Sequence, residues 1–155
     1  MIYKVISLFL FFVIVFAFVL IGGHSTGLAA SNFSKNFLQA FWGQTSWLVP
    51  PSWALVYGLV AISGWMVWNR APGLERIFPM ILFGGVLTAN ATWWWIYFEW
   101  GDPNLALMNL GILWGLIFFT IFVFCFHSRW GAALMIPYFA WISYALVFNF
   151  FMLKY

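Results

Sequence analysis

Residues 89–104 read ANATWWWIYFEWGDPN and place Trp93, Trp94, Trp95 and Trp100 within eight positions. Indoles in an apolar chain have two common uses: as headgroup-level anchors at a membrane surface, or as walls for a flat aromatic or sterol-like ligand inside a bundle. Asn90 opens this cluster and Asn149 lies near the C-terminus. An unpaired amide in hydrocarbon is costly, so both should face other helices and either bond one or meet a ligand. Other reactive residues are sparse. Glu99 and Asp102 form a possible acid–base pair, but Pro103 and Asn104 directly after them read as a helix start, with the acids in its solvated cap. His24 and His127 follow the first and fourth apolar runs, which puts them on opposite sides of a membrane and prevents them from ligating one iron. Cys125 is the only cysteine, so no intramolecular disulfide can form. With no Ser–His–Asp grouping, metal-ligand cluster or phosphate loop, the sequence offers neither catalytic nor metal-binding residues.

These residues must be positioned by elements suited to lipid. Hydrophobic residues make up 66% of the 155 and charged residues 6%, too few to cover a water-soluble surface. Backbone polar groups inside a bilayer must be satisfied within the structure, which leaves helices or closed barrels. The long continuous apolar runs lack the alternation of barrel strands. They predict an all-α integral membrane protein, a single domain of five transmembrane helices near residues 5–23, 48–68, 77–98, 104–126 and 132–153, with a long first loop at 24–47. Lys4, the run 5–21 and the small residues GLAAS also resemble a signal peptide, but the run exceeds the roughly 7–15 residues of a signal core and is read as the first span. Lys4, Arg70, Arg76 and Arg129 fall on one side, against Lys35 and Lys154 on the other, which favours a cytoplasmic N-terminus. The net charge of +3 reflects headgroup anchoring and not nucleic-acid binding.

Helical spacing gathers the candidates into stripes. Trp53, Tyr57, Val60, Gly64 and Trp68 share a face of the second span; Asn90, Trp93, Trp94 and Tyr97 share one on the third, with Trp95 pointing away. Trp141, Ala145, Phe148 and Met152 share a face of the fifth, with Asn149 one turn beyond Ala145. Each stripe can be helix packing or a ligand wall. Trp42, Trp68, Trp100 and Trp130, at span ends or in loops, suit an interfacial belt. Small-xxx-small pairs on the third span, Gly85 with Ala89 and Gly84 with Thr88, allow close helix approach, as do Gly111 and Gly115 on the fourth.

The runs PSWALVYGLVAISGWMVW at 51–68, NATWWWIYF at 90–98 followed by LALMNL at 105–110, and PYFAWISYALVFN at 137–149 resemble the translocator protein family, also called tryptophan-rich sensory proteins (TspO) or peripheral benzodiazepine receptors. The resemblance implies a five-helix bundle, usually a homodimer, with a pocket beneath the first loop for tetrapyrroles such as protoporphyrin IX, sterols, or isoquinoline and benzodiazepine compounds. Carried over by position, Trp53, Asn90, Trp93, Trp141 and Ala145 would line or border that pocket with Asn149 nearby. Trp42 and Trp47 would belong to its lid, and Gly85 and Ala89 to the dimer seam. The first loop departs from the family by lacking the two prolines that follow Trp42. The C-terminal LVFNFFMLK lacks the tyrosine of a cholesterol-recognition pattern. No cofactor is implied, porphyrin being a ligand. Two functions stay open: a sensor or transporter of tetrapyrroles, and a light-dependent porphyrin-degrading enzyme in which a pocket indole is the redox partner.

Overall fold

In the computed structural model, residues 2–28 and 49–154 are described, and Trp42 and Trp47 lie outside them. All five apolar runs form helices of membrane-crossing length. Helix α1 covers Ile2–Leu28, α2 Val49–Arg70, α3 Ile77–Trp94 and α4 Pro103–His127, and the fifth span comprises α5 (Arg129–Leu134) and α6 (Ile136–Lys154). The chain is therefore a multi-pass integral membrane protein in contact with the lipid bilayer.

Local chemistry explains the boundaries. Prolines 50 and 51 occupy the first turn of α2, where a missing N–H costs nothing, and Pro72 follows its end. A short 3-10 turn, Gly73–Arg76, leads into α3. Beyond Trp94 the helix widens into a π turn, Trp95–Trp100, and stops at Gly101, whose φ of 67° suits glycine far better than a side-chain-bearing residue. Asp102 then caps α4 by accepting a hydrogen bond from the Leu105 N–H at 3.0 Å, with Pro103 at the first helical position. This is the cap expected from the sequence. Ser128 caps α5 in the same way through the Gly131 N–H at 3.0 Å. The fifth span breaks at Met135 because Pro137 cannot donate back to the preceding turn.

Around the bundle, α1 packs on α2 and α3, α3 on α4, α4 on the fifth span, and the fifth span back on α2. Glycine permits the tightest of these approaches. A Cβ added at Gly64 of α2 would stand 2.8 Å from Phe83 Cζ and 2.9 Å from Phe11 Cε1. The core between the spans is built from Val60, Val86, Leu110, Leu113, Ile117, Phe124 and Met135. Polar fastenings hold the end of the bundle where α1 begins. The Trp65 indole N–H donates to the Lys4 carbonyl at 3.1 Å, Arg70 to Ser128 Oγ at 3.1 Å, and buried Ser63 to the Gly131 carbonyl at 2.7 Å. Lys4, Arg70, Arg76 and Arg129 thus share one end, accompanied there by Glu75. Leu28 and Val49, which flank the first loop, lie at the other end with Glu99 and Asp102.

Candidate functional site

An aromatic and polar cluster lies between α2, α3 and α6 in the half of the bundle facing the first loop. Tyr57 lies one turn into α2 from Trp53, and its hydroxyl donates to Asn90 Oδ1 of α3 at 3.0 Å. Asn90 Nδ2 donates to the Tyr138 hydroxyl of α6 at 2.8 Å. All three residues are buried. One amide therefore joins three spans, which meets the requirement that an asparagine at this depth find partners.

Indoles surround this bridge. The Trp53 ring centroid lies 4.8 Å from that of Trp94, 5.7 Å from Tyr57 and 6.2 Å from Trp141, the last nearly edge-to-face at 79°. Trp93 stands one ring further out, 5.2 Å from Trp94 and stacked on Tyr97 at 5.2 Å. The Trp53 indole N–H is buried without a hydrogen-bond partner among the described residues. Such a donor is costly in a low-dielectric interior and suits a ligand or water acceptor.

Ser52, Trp53, Val56, Tyr57, Tyr138 and Trp141 line a cavity of about 10 Å³. That is roughly the space for a single water. At this volume the site admits a large flat ligand only if the Trp53 and Trp141 rings move or the spans part.

Of the residues singled out from the sequence, Trp53 and Trp141 wall the cavity, and Asn90 stands behind it holding the two tyrosines. Trp93 is buried beside Trp94, which is the indole in contact with Trp53. Ala145 and Asn149 are buried on α6 but do not line the cavity. Asn149 Nδ2 donates to the Ala145 carbonyl at 2.8 Å, satisfying its N–H within its own helix. Gly85 is half-buried at the edge of the α3–α4 contact, where an added Cβ would lie 4.0 Å from Leu116 Cδ1, and Ala89 is partly buried beside the core. Trp95 is exposed, as its position opposite Asn90 predicts, and its indole donates to the Ile21 carbonyl at 3.0 Å. Trp100 and Trp130 are exposed at span ends. Sequence reasoning missed Tyr57 and Tyr138 as site residues. The available signals were the need of Asn90 for partners, the place of Tyr57 on the Trp53 stripe, and the i, i+3 spacing of Tyr138 and Trp141.

The TspO/MBR family model matches residues 9–154. The chain is 27% identical to the translocator protein of Bos taurus over 111 residues, 70% of this chain and 66% of that protein. It is 26% identical to the tryptophan-rich protein TspO of Chlorobaculum tepidum over 137 residues, covering 86% and 85% of the two chains. A tryptophan-rich protein TspO of Archaeoglobus fulgidus is also 26% identical, over 80% of this chain and 85% of its own. The chain thus spans about two thirds of the bovine relative and most of the two microbial ones.

Proposed function

The chain belongs to the TspO/MBR family, and on that premise we propose that it is a membrane sensor or transporter that takes up tetrapyrroles, protoporphyrin IX in particular, between α2, α3 and α6. The observation that carries this reading is the Trp53 N–H, buried without a partner among the described residues, at the edge of an indole-lined cavity with the Tyr57–Asn90–Tyr138 bridge behind it. A porphyrin is a broad π system with two carboxylates, so its site needs large apolar faces and a few polar groups at the rim. Trp53 and Trp141 supply faces, and the Trp53 N–H, without a partner among the described residues, supplies an acceptor-seeking group. Sterol-like, isoquinoline and benzodiazepine ligands share the flat apolar body and belong to the same proposal. Since the cavity holds only about 10 Å³, binding requires the rings or spans to move, and apparent affinity is reduced by the fraction of molecules in which they have. Trp42 and Trp47, outside the described residues, keep in this proposal the lid role that the family resemblance implies.

Titration of the purified protein with protoporphyrin IX, followed by porphyrin absorbance, tests the reading. Saturable binding is expected, weakened several-fold in Trp141→Phe through lost stacking area. Non-saturable partitioning in the wild type, identical in the variant, refutes it.

A second reading, light-dependent porphyrin degradation, is favoured by the contiguity of the electron-rich rings, with Trp141, Trp53, Trp94 and Trp93 spaced at 6.2, 4.8 and 5.2 Å. It requires porphyrin absorbance to decay only under illumination and to persist in Trp53→Phe. The proposal also includes a homodimer joined along the Gly85–Ala89 face of α3, and a cytoplasmic N-terminus. The second is favoured by Lys4, Arg70, Arg76 and Arg129 on one side, which outnumber Lys35 and Lys154 of the sequence segments on the other.

A further inference from the structure

A separate apolar trough runs along the outside of the bundle between α1 and α3, with a volume of about 390 Å³. Leu10, Phe11, Ile14 and Phe18 form one wall, and Phe83, Gly84 and Leu87 the other. Tyr3, Ser7 and Trp68 close its end at the basic face. From Tyr3 to Phe18 the trough follows fifteen helical positions, about 22 Å at 1.5 Å each. That exceeds the depth of about 15 Å of one leaflet of a core about 30 Å thick.

The basic end is specifically built. The Arg76 guanidinium carbon lies 4.6 Å above the centroid of the Trp68 ring. Its Nε donates to the Gly73 carbonyl at 3.0 Å, which fixes the group in place. Its terminal nitrogens have no hydrogen bond or ion pair among the described residues, and neighbouring Glu75 forms none with it. Lys4 sits between Tyr3 and Ser7 at the same end, one position from the trough wall. A held cation with spare donors at the headgroup level, over an apolar channel of acyl-chain length, matches one kind of molecule. We infer that this trough is a site for an anionic phospholipid, with an acyl chain lying along α1 and the headgroup phosphate against Arg76 and Lys4. Arginine suits phosphate because its planar donors can bond two oxygens together, and basic pockets between membrane helices take anionic headgroups on this principle. The trough lies apart from the indole cavity, so the inference does not rest on the proposed tetrapyrrole binding.

Gly84 permits a clean test. An added Cβ there would meet nothing within 4 Å, so a larger side chain enters the trough without disturbing the core. Protein freed of lipid would be equilibrated with mixed micelles holding equal phosphatidylglycerol and phosphatidylcholine, and the lipids retained counted by native mass spectrometry. The wild type should retain phosphatidylglycerol over phosphatidylcholine by well over fivefold, since each of its two cations near an anionic lipid contributes about fivefold. Arg76→Gln should lower the ratio about fivefold, Lys4 remaining, while some lipid is still held, and Gly84→Leu should abolish retention of both. Porphyrin titration should be unchanged in either variant, and circular dichroism confirms that each is folded. Equal retention of the two lipids by the wild type, or an undiminished preference in Arg76→Gln, overturns the inference. So does a Gly84→Leu protein that loses a cross-linkable dimer while keeping its lipid, since the trough would then seat a second copy of the chain.

Discussion

The bridge from Tyr57 through Asn90 to Tyr138 should behave as one energetic unit, and a double-mutant cycle on Asn90 and Tyr57 measures it. Both bonds are short, at 3.0 and 2.8 Å, and water cannot compensate their loss because Tyr57 is 4% and Tyr138 1% exposed. A side-chain hydrogen bond between membrane helices contributes about 0.6 kcal/mol on average and up to about 1.7. Asn90→Leu, which keeps the volume and removes both bonds, should therefore cost about 1–3 kcal/mol. Tyr57→Phe removes one bond and should cost about 0.6–1.7 kcal/mol. In the Asn90→Leu background that bond is already lost, so adding Tyr57→Phe should cost almost nothing. It can even stabilise slightly, because a buried hydroxyl without an acceptor has been removed. The assay is reversible unfolding in mixed micelles of increasing dodecyl sulfate content, followed by far-ultraviolet circular dichroism. Independent sites usually add within about 0.3–0.5 kcal/mol. Additivity of the two substitutions within that margin would show that Asn90 is not the shared partner and would refute the bridge as the organiser of the site.

Other substitutions probe the packing and the faces. Gly64→Ala should destabilise the fold by about 1–3 kcal/mol, because the new methyl would stand 2.8 Å from Phe83 and 2.9 Å from Phe11; an unchanged unfolding midpoint would contradict the close approach of α1, α2 and α3. Trp95→Phe should lower stability by about 0.5–1.5 kcal/mol through the lost bond to the Ile21 carbonyl, yet leave porphyrin affinity unaltered, and a clear loss of affinity would move the pocket to the wrong face of α3. Ser63→Ala removes the 2.7 Å bond that ties α2 to the Gly131 carbonyl. It should cost about 1–3 kcal/mol, as the buried carbonyl is left unsatisfied, measured in the same unfolding assay. Gly85→Leu should weaken the proposed dimer while the chain stays folded, since only the flexible end of Leu116, 4.0 Å from the new Cβ, need give way; undiminished cross-linking in mild detergent would count against that seam.

Much of this protein was legible from composition and run length. So few charged residues require lipid as the solvent, lipid requires closed backbone hydrogen bonding, and five runs of adequate length become five helices. The helix ends were equally local: Asp102 with Pro103 is read as a cap and is one. Asn90 could be assigned to the interior because an amide has nowhere else to go. Its partners could not be named, since Tyr57 and Tyr138 are 33 and 48 positions away. Nor could the sequence choose between Trp93 and Trp94 as the indole against Trp53, because both lie on the stripe and the choice turns on helix rotation. How much room lies beside Trp141 was equally out of reach, because it depends on Trp53 of another helix, which approaches that ring and leaves about 10 Å³. The trough on α1 and α3 was likewise invisible, being a gap between two helices and not a property of either. In water, apolar periodicity marks the buried face of each helix. In lipid the outside is as apolar as the inside, so the sequence sets which segments become helices, while the rotation and register of those helices are decided only by how their side chains pack together.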